Sequence, residues 1–282
     1  MKVDMFVEGT DMPAQMTYER AARKSVAMCV SDFAAKGVSP DSYMISLGLP
    51  RGVSIRRVRE LGRGFRVASG EWGVNFVGGD TNEAKELTID CAMVGFSPKI
   101  VARSGASPGE ILVATGRFGL PPSGLKILMD GARSEPAFRK RAVGSVLYPT
   151  PNLKLGLAIS KFLTSSIDSS DGLSRSVHQL VEQSKVGFEI ESVPKASGLV
   201  GFARANGEDH ERLALVGGEE YLIVGTVKKE HFERARRAAL RSGGDLLRVG
   251  TVTSKRKVVM VRAGKKESIP DEGWTHLSRG RP

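Results

Sequence analysis

Residues 24–40 read KSVAMCVSDFAAKGVSP, and the reading of the whole chain turns on them. Thr17 stands upstream as an N-cap and Gly37 supplies a stop, so a helix over 17–36 is predicted. Between Lys24 and Lys36 it is small and apolar except for Asp32, which lies between Val30 and Phe33. A carboxylate on such a helix needs a partner or a cation, because an unpaired buried charge is costly.

Working outward, residues 3–8 alternate like a strand that begins almost at Met1, and residues 43–49 form another, ended by Pro50. A helix is expected over 54–72, although Gly62 and Gly64 weaken it by about 1 kcal/mol each relative to Ala. Strands follow at 75–77 and 87–96. The chain turns sharply at RSGASP, residues 103–108, before a strand at 110–115. Beyond it come helices near 124–131 and 153–163, a strand into Ile167 and a helix over 171–184. Strands at 187–191, 221–226 and 257–261 complete the pattern, with a helix over 230–241 between the last two. No repeat or low-complexity linker interrupts this alternation. It predicts an α+β fold of two α/β domains, 1–105 and 106–282.

The length of 282 residues suffices for two such domains, and 40% hydrophobic with 26% charged residues reads as a soluble globular chain. No apolar run approaches the roughly 18 residues that a membrane helix needs. Cys29 and Cys91 lie in apolar runs and are expected to be buried free thiols. The N-terminus lacks the order of a signal peptide, so the cytoplasm is the expected compartment. The net charge of +11 is concentrated: residues 226–282 hold 15 Lys/Arg against 6 Asp/Glu. Only Phe232 and Trp274 are aromatic there, which disfavours a base-stacking surface and favours a solvated basic face.

Four histidines, none paired at metal-ligand spacing, argue against zinc. No GxxxxGK[ST] loop, GxGxxG turn or protein-kinase motif set is present. Residues 105–109, GASPG, match GxSxG, but Pro108 has no N–H to offer an oxyanion, so the segment reads as a turn. What remains is acidic: Asp4 and Asp11 near the first strand, Asp32, Asp80 after two glycines in NFVGGD, Asp168 and Asp171 in IDSSDGL, and Glu219 with Glu220 in VGGEEY. Singly, Asp171 reads as a helix cap, Asp80 as a turn residue, and Glu220 as facing outward by strand alternation. Together they fit oxygen coordination of a hard cation, Mg²⁺ above all. Two unit charges about 4 Å apart repel by about 4 kcal/mol at an effective dielectric near 20, so such a cluster needs cations or protons. Mg²⁺ bridges carboxylates to substrate phosphates, which suits phosphoryl transfer from a nucleotide.

The segments VDMFVEGTDMP (3–13), KSVAMCVSDFAAKGVSP (24–40), SLGLP (46–50), VGGDT (77–81), RSGASPGEILVATG (103–116), SSIDSSDGLS (165–174), VGGEEYLI (216–223) and GWTHL (273–277) carry a resemblance that spans nearly the whole chain. In this order they resemble the thiamine-monophosphate kinase family. Its superfamily also holds aminoimidazole ribonucleotide synthetase, selenophosphate synthetase and a hydrogenase maturation protein. The resemblance implies an N-terminal sheet domain that forms the dimer and the ATP site, followed by a C-terminal α+β domain. It implies in-line transfer from ATP to thiamine monophosphate, giving thiamine diphosphate, without a covalent catalytic residue. By resemblance, Asp4, Asp32, Asp80, Asp168 and Asp171 ligate several Mg²⁺ ions, while Gly79, Asp80, Arg103 and Ser170 contact ATP. The resemblance also implies that Asp11, Glu219 and Trp274 hold thiamine monophosphate; an acidic and aromatic pocket suits a cationic thiazolium. A homodimer is implied, with no membrane or nucleic-acid partner. The family pattern has a further segment before Val3, with a GDDAA-type motif, and a Thr or Ser just before Asp4; a missing N-terminal segment is therefore expected. The alternatives are another ATP-using enzyme of the superfamily, or an inactive relative that binds nucleic acid through its basic face.

Overall fold

Strand β1 (Lys2–Val7) leads through one helical turn, α1 (Glu8–Asp11), into α2 (Tyr18–Lys36). The ends of α2 are those the sequence predicts: Thr17 accepts the Arg20 N–H, and Gly37 closes the helix at φ 64°. The structure, a computed structural model, describes residues 1–275. Next come β2 (Ser39–Pro50), α3 (Ile55–Trp72), β3 (Asn75–Ala84) and β4 (Thr88–Phe96). They form a four-stranded sheet in the order β1-β4-β2-β3, so β1 and β3 lie at opposite edges. The expected strand at 75–77 continues through both glycines to Ala84. Gly79 permits this, because a Cβ there would stand 1.9 Å from the Ile45 carbonyl oxygen of β2.

One face of this sheet is buried under α2 and α3, with Phe6, Tyr43, Ile45, Ile89, Cys91 and Met93 in the core. The other face is bare. Val3, Ala92 and Met44 lie side by side across three strands, as do Met5, Asp90, Ser46 and Asp80 across four. Val3, Met5 and Met44 are each more than half exposed.

The second sheet grows from β5 (Ile111–Ala114), followed by helices α4 (Leu120–Met129), α5 (Pro136–Leu147) and α6 (Leu153–Ile159). Then come β6 (Leu163–Ser169), α7 (Leu173–Ser184), β7 (Gly187–Ile190), α8 (Leu199–Asn206), α9 (His210–Val216), β8 (Leu222–Val227) and α10 (Phe232–Arg241). Strands β9 (Leu247–Thr253), β10 (Val258–Arg262) and β11 (Lys265–Ser268) complete a seven-stranded sheet, ordered β11-β10-β7-β9-β5-β8-β6. The fold is α+β, as expected. Helices α1, α5, α8 and α9 and strands β9 and β11 are additions to the sequence reading, where Gly, Pro or charge breaks the periodicity. Helix α4 starts at Leu120, ahead of the expected Gly124, with prolines in its first turn, where a missing N–H does no harm. Asp171 is not a cap: Gly172 holds the N-cap position of α7. Both cysteines are buried and free, as expected.

Helix α2 belongs to both halves. Its Ala34 and Ala35 pack with Ile111, Val113, Leu155, Ile159 and Ile223 against the second sheet. Gly156 of α6 makes the approach possible, since a Cβ there would lie 2.2 Å from the Ala34 carbonyl oxygen. This contact sets the Asp32 end of α2 against the end of β6.

Candidate active site

Between the two sheets lies a cavity of about 1370 Å³. Nine of the side chains singled out in the sequence line it: Asp4, Asp11, Asp32, Arg103, Asp168, Ser170, Asp171, Glu219 and Trp274. At its acidic end three elements converge. Strand β1 supplies Lys2 and Asp4, which share a face because they are two residues apart. Helix α2 supplies Asp32, and the end of β6 supplies Asp168. The Lys2 ammonium lies 3.0 Å from Asp4 Oδ1 and 2.5 Å from Asp32 Oδ2. Ser31 donates a hydrogen bond of 2.8 Å to Asp168 Oδ2.

The charges strain against burial. Burial, and then the charge of Asp32, pushes the Asp168 carboxyl up to about 7. Burial also raises Asp4, against the pull of Lys2. For Lys2 burial works the other way, yet the carboxylates of Asp32 and then Asp4 outweigh it and hold the ammonium above its ordinary range. Lys36, which donates to the Ser166 carbonyl, is lowered to about 8 by burial and by the charge of Arg103. The donors are all oxygens, and burial followed by the Asp32 charge raises Asp168. Such a set fits a hard divalent cation. Among the described residues no group of three His, Cys, Asp or Glu side chains encloses a metal position on its own. Phosphate oxygens and water would have to complete the shell, which is how Mg²⁺ is usually held.

In the same cavity, Glu219 sits at φ 65° and its N–H donates to the Ser170 carbonyl at 2.6 Å. The buried ammonium of Lys24, from α2, lies 2.6 and 2.8 Å from its carboxylate oxygens and 3.1 Å from the Asp11 carbonyl. Tyr221 donates to Glu219 Oε1 at 3.3 Å. Asp11 Oδ2 accepts from the Val7 N–H at 2.8 Å and from the Thr10 hydroxyl at 3.0 Å. Trp274 is anchored by its backbone N–H, which donates to the Asp171 carbonyl at 3.0 Å. In GWTHL, His276 and Leu277 lie outside the described residues.

Two expected members are elsewhere. Gly79 and Asp80 are exposed on β3, at the sheet edge opposite β1. Asp80 shares a row with Met5, one residue along from Asp4, so it lies on the bare face while Asp4 lies on the covered one. Glu220 also departs from expectation. Instead of facing outward, its carboxylate turns in to accept the Gly119 N–H at 2.5 Å, and burial pushes it up to about 8.

Residues 1–97 match the family model "AIR synthase related protein, N-terminal domain". A thiamine-monophosphate kinase of Nitrosopumilus maritimus is 38% identical over 276 residues, which cover 98% of this chain and 88% of that protein. The corresponding kinase of Pyrococcus horikoshii is 33% identical over 98% of this chain and 85% of its own. The chain belongs to the thiamine-monophosphate kinase family. Family members are phosphotransferases, and their solved structures superpose closely on this one. AaThiL complexed with AMPPCP and TMP has a TM-score of 0.88 at 26% identity, over 98% of this chain and 86% of that one. Hydrogenase maturation protein HypE, at 16% identity and a TM-score of 0.80, shares the fold over 99% of this chain and 89% of its own.

Two site residues of this thiamine-monophosphate kinase family member escape the sequence reading. Lys24 carries the same signal as Asp32, a charge on an apolar helix, and the two point into one cavity. Lys2 stands two residues before Asp4, the spacing that puts both on one strand face.

Proposed function

We propose that the protein transfers the γ-phosphoryl group of ATP to thiamine monophosphate, giving thiamine diphosphate and ADP. The observation that carries this reading is the cavity itself, lined both by a carboxylate cluster and by the Lys24–Glu219–Tyr221 group. In the reaction an oxygen of the substrate phosphate bonds to the γ-phosphorus in line as the bond to the β,γ-bridging oxygen breaks, and ADP departs with that electron pair. Mg²⁺ held by Asp4, Asp32, Asp168 and Asp171 would neutralise the charge of the two phosphate groups as they meet. Arg103 and Ser170 line the same cavity and suit the nucleotide phosphates, Arg103 through its forked guanidinium. Glu219, Asp11 and Trp274 suit the cationic thiamine moiety. Lys24 holds the Glu219 carboxylate in place, which fixes where that moiety can sit.

Asp80 and Gly79 enter this reading only through a second chain. The bare sheet face carries Val3, Met5 and Met44, an apolar surface that a soluble monomer would leave in water. A homodimer joined through this face would bury them and bring Asp80 of each subunit towards the cavity of its partner. The reading divides the chain into a sheet domain, 1–105, and an α+β domain, 106–282, and places the enzyme in the cytoplasm. Among the described residues no helix is long and apolar enough to cross a membrane.

The test is incubation of the chain with ATP, Mg²⁺ and thiamine monophosphate, with thiamine diphosphate identified by mass. Asp32→Asn and Asp168→Asn should each lower turnover by about 10²-fold or more, the scale of removing one electrostatic stabiliser of a transition state. Full turnover in both variants, or no thiamine diphosphate from the unaltered chain, overturns the proposal.

A further inference from the structure

Lys2 and Asp4 leave the same face of β1, and α2 presents Asp32 to that face. Three side chains meet there: an ammonium and two carboxylates, at 3.0 Å from Asp4 and 2.5 Å from Asp32. An ammonium is a compact point charge with three donors, so one Lys can serve two carboxylates at once. A divalent ion entering between β1 and α2 would need the same two carboxylates and would meet a positive charge already in place. From this geometry we infer that Lys2 is a tethered cation that holds the Asp4–Asp32 position in place of a divalent ion.

The role depends on the Mg²⁺ site proposed above and revises it: of the four carboxylates given to Mg²⁺ there, Asp4 and Asp32 have part of their charge met by Lys2 instead. Part of the cluster's charge is met by a cation tethered to the chain, whatever the free cation concentration, and the ions that accompany ATP are left to the Asp168 and Asp171 side of the cavity. Side-chain exposure is consistent with a cation built into the site: Lys2 is 31% exposed, Asp4 21% and Asp32 16%. No other ammonium or guanidinium among the described residues forms an ion pair with Asp4 or Asp32.

The deciding measurement is a titration of the full chain with Mn²⁺, without nucleotide or thiamine monophosphate, in which free Mn²⁺ is counted by electron paramagnetic resonance. Mn²⁺ serves as the probe because it accepts the same hard oxygen donors. Lys2→Met should take up an extra Mn²⁺ per chain, or bind it more than about tenfold tighter, since a unit charge a few ångströms away strongly opposes a divalent ion. Lys2→Arg, which keeps the charge, should behave as the unaltered chain does. The gain should disappear in Lys2→Met/Asp32→Asn. Lys2→Gln is measured alongside, because it retains hydrogen-bond donors if Lys2→Met fails to fold, and thermal melts report folding of each variant. Equal Mn²⁺ number and affinity in the unaltered chain and the uncharged variants overturns the inference. So does a gain that persists without the Asp32 carboxylate. Failure of the kinase reading is separate: it appears as no thiamine diphosphate from the unaltered chain, whatever the Mn²⁺ count.

Discussion

Glu220 is a carboxyl group that the fold holds in its neutral form. Its Oε1 accepts the Gly119 N–H just ahead of α4, and burial raises it to about 8. The sign of its effect on stability follows. Below about pH 4.5 it is protonated in the folded and unfolded chains alike; as the pH rises the unfolded chain releases the proton first, so stability falls until about pH 8. Glu220→Gln keeps an oxygen for Gly119 and cannot ionise. It should therefore be more stable than the unaltered chain at pH 8, by roughly 4 kcal/mol, and nearly equal to it at and below about pH 4.5. Urea denaturation at the two pH values measures this; a difference independent of pH would remove Glu220 as the source. The inward turn of Glu220 is not legible in the sequence. Strand alternation assumes extended backbone, whereas Glu219 and Tyr221 on either side lie at φ 65° and 49°. Asp32, by contrast, is legible because a charge on an apolar helix has few places to go, and Lys24 carries the same signal.

At the scale of elements, α2 is positioned by glycines on its neighbours. Two glycines in α3 look alike in the sequence, each a weakness in a helix, but the structure separates them. A Cβ on Gly64 would lie 2.1 Å from the Glu19 carbonyl oxygen of α2, whereas a Cβ on Gly62 would meet nothing within 4 Å. Gly62→Ala should stabilise the protein by about 0.5–1 kcal/mol through helix propensity. Gly64→Ala gains the same propensity but forces α2 and α3 apart, with a net destabilisation of about 1–3 kcal/mol. Chemical denaturation of the two variants checks the pair, and similar effects of one sign would show that α3 does not press on α2 at Gly64. The ends of α2 can be read from Thr17 and Gly37 because caps are local chemistry. The full length of β3 cannot be, because its outer half, GGDTNEA, has polar residues and glycines where an apolar strand signal would stand. It is held in place by pairing with β2 along one side only.

For the whole molecule the question is where Asp80 acts. Three strand spacings of about 4.8 Å separate β3 from β1, and the one-residue offset in row puts Asp80 on the opposite sheet face from Asp4. Within one subunit it therefore does not join Asp32 and Asp168. If the bare face is the dimer interface, each cavity draws Asp32 and Asp168 from one chain and Asp80 from the other. Asp80→Asn and Asp32→Asn, each inactive alone, should then complement each other. In a mixed dimer one cavity carries both lesions and the other carries neither. Random reassociation puts half of the dimers in the mixed form, so an equimolar mixture should recover about a quarter of the unaltered turnover. Asp32→Asn mixed with Asp168→Asn, both lesions belonging to the same side of the cavity, should likewise be tried; there every cavity of a mixed dimer keeps one lesion, and no activity should return. Recovery in the first mixture and none in the second would assign Asp80 to the partner subunit. No recovery in the first, with mixed dimers demonstrated by mass, would leave Asp80 as a residue of the exposed strand and remove it from the site.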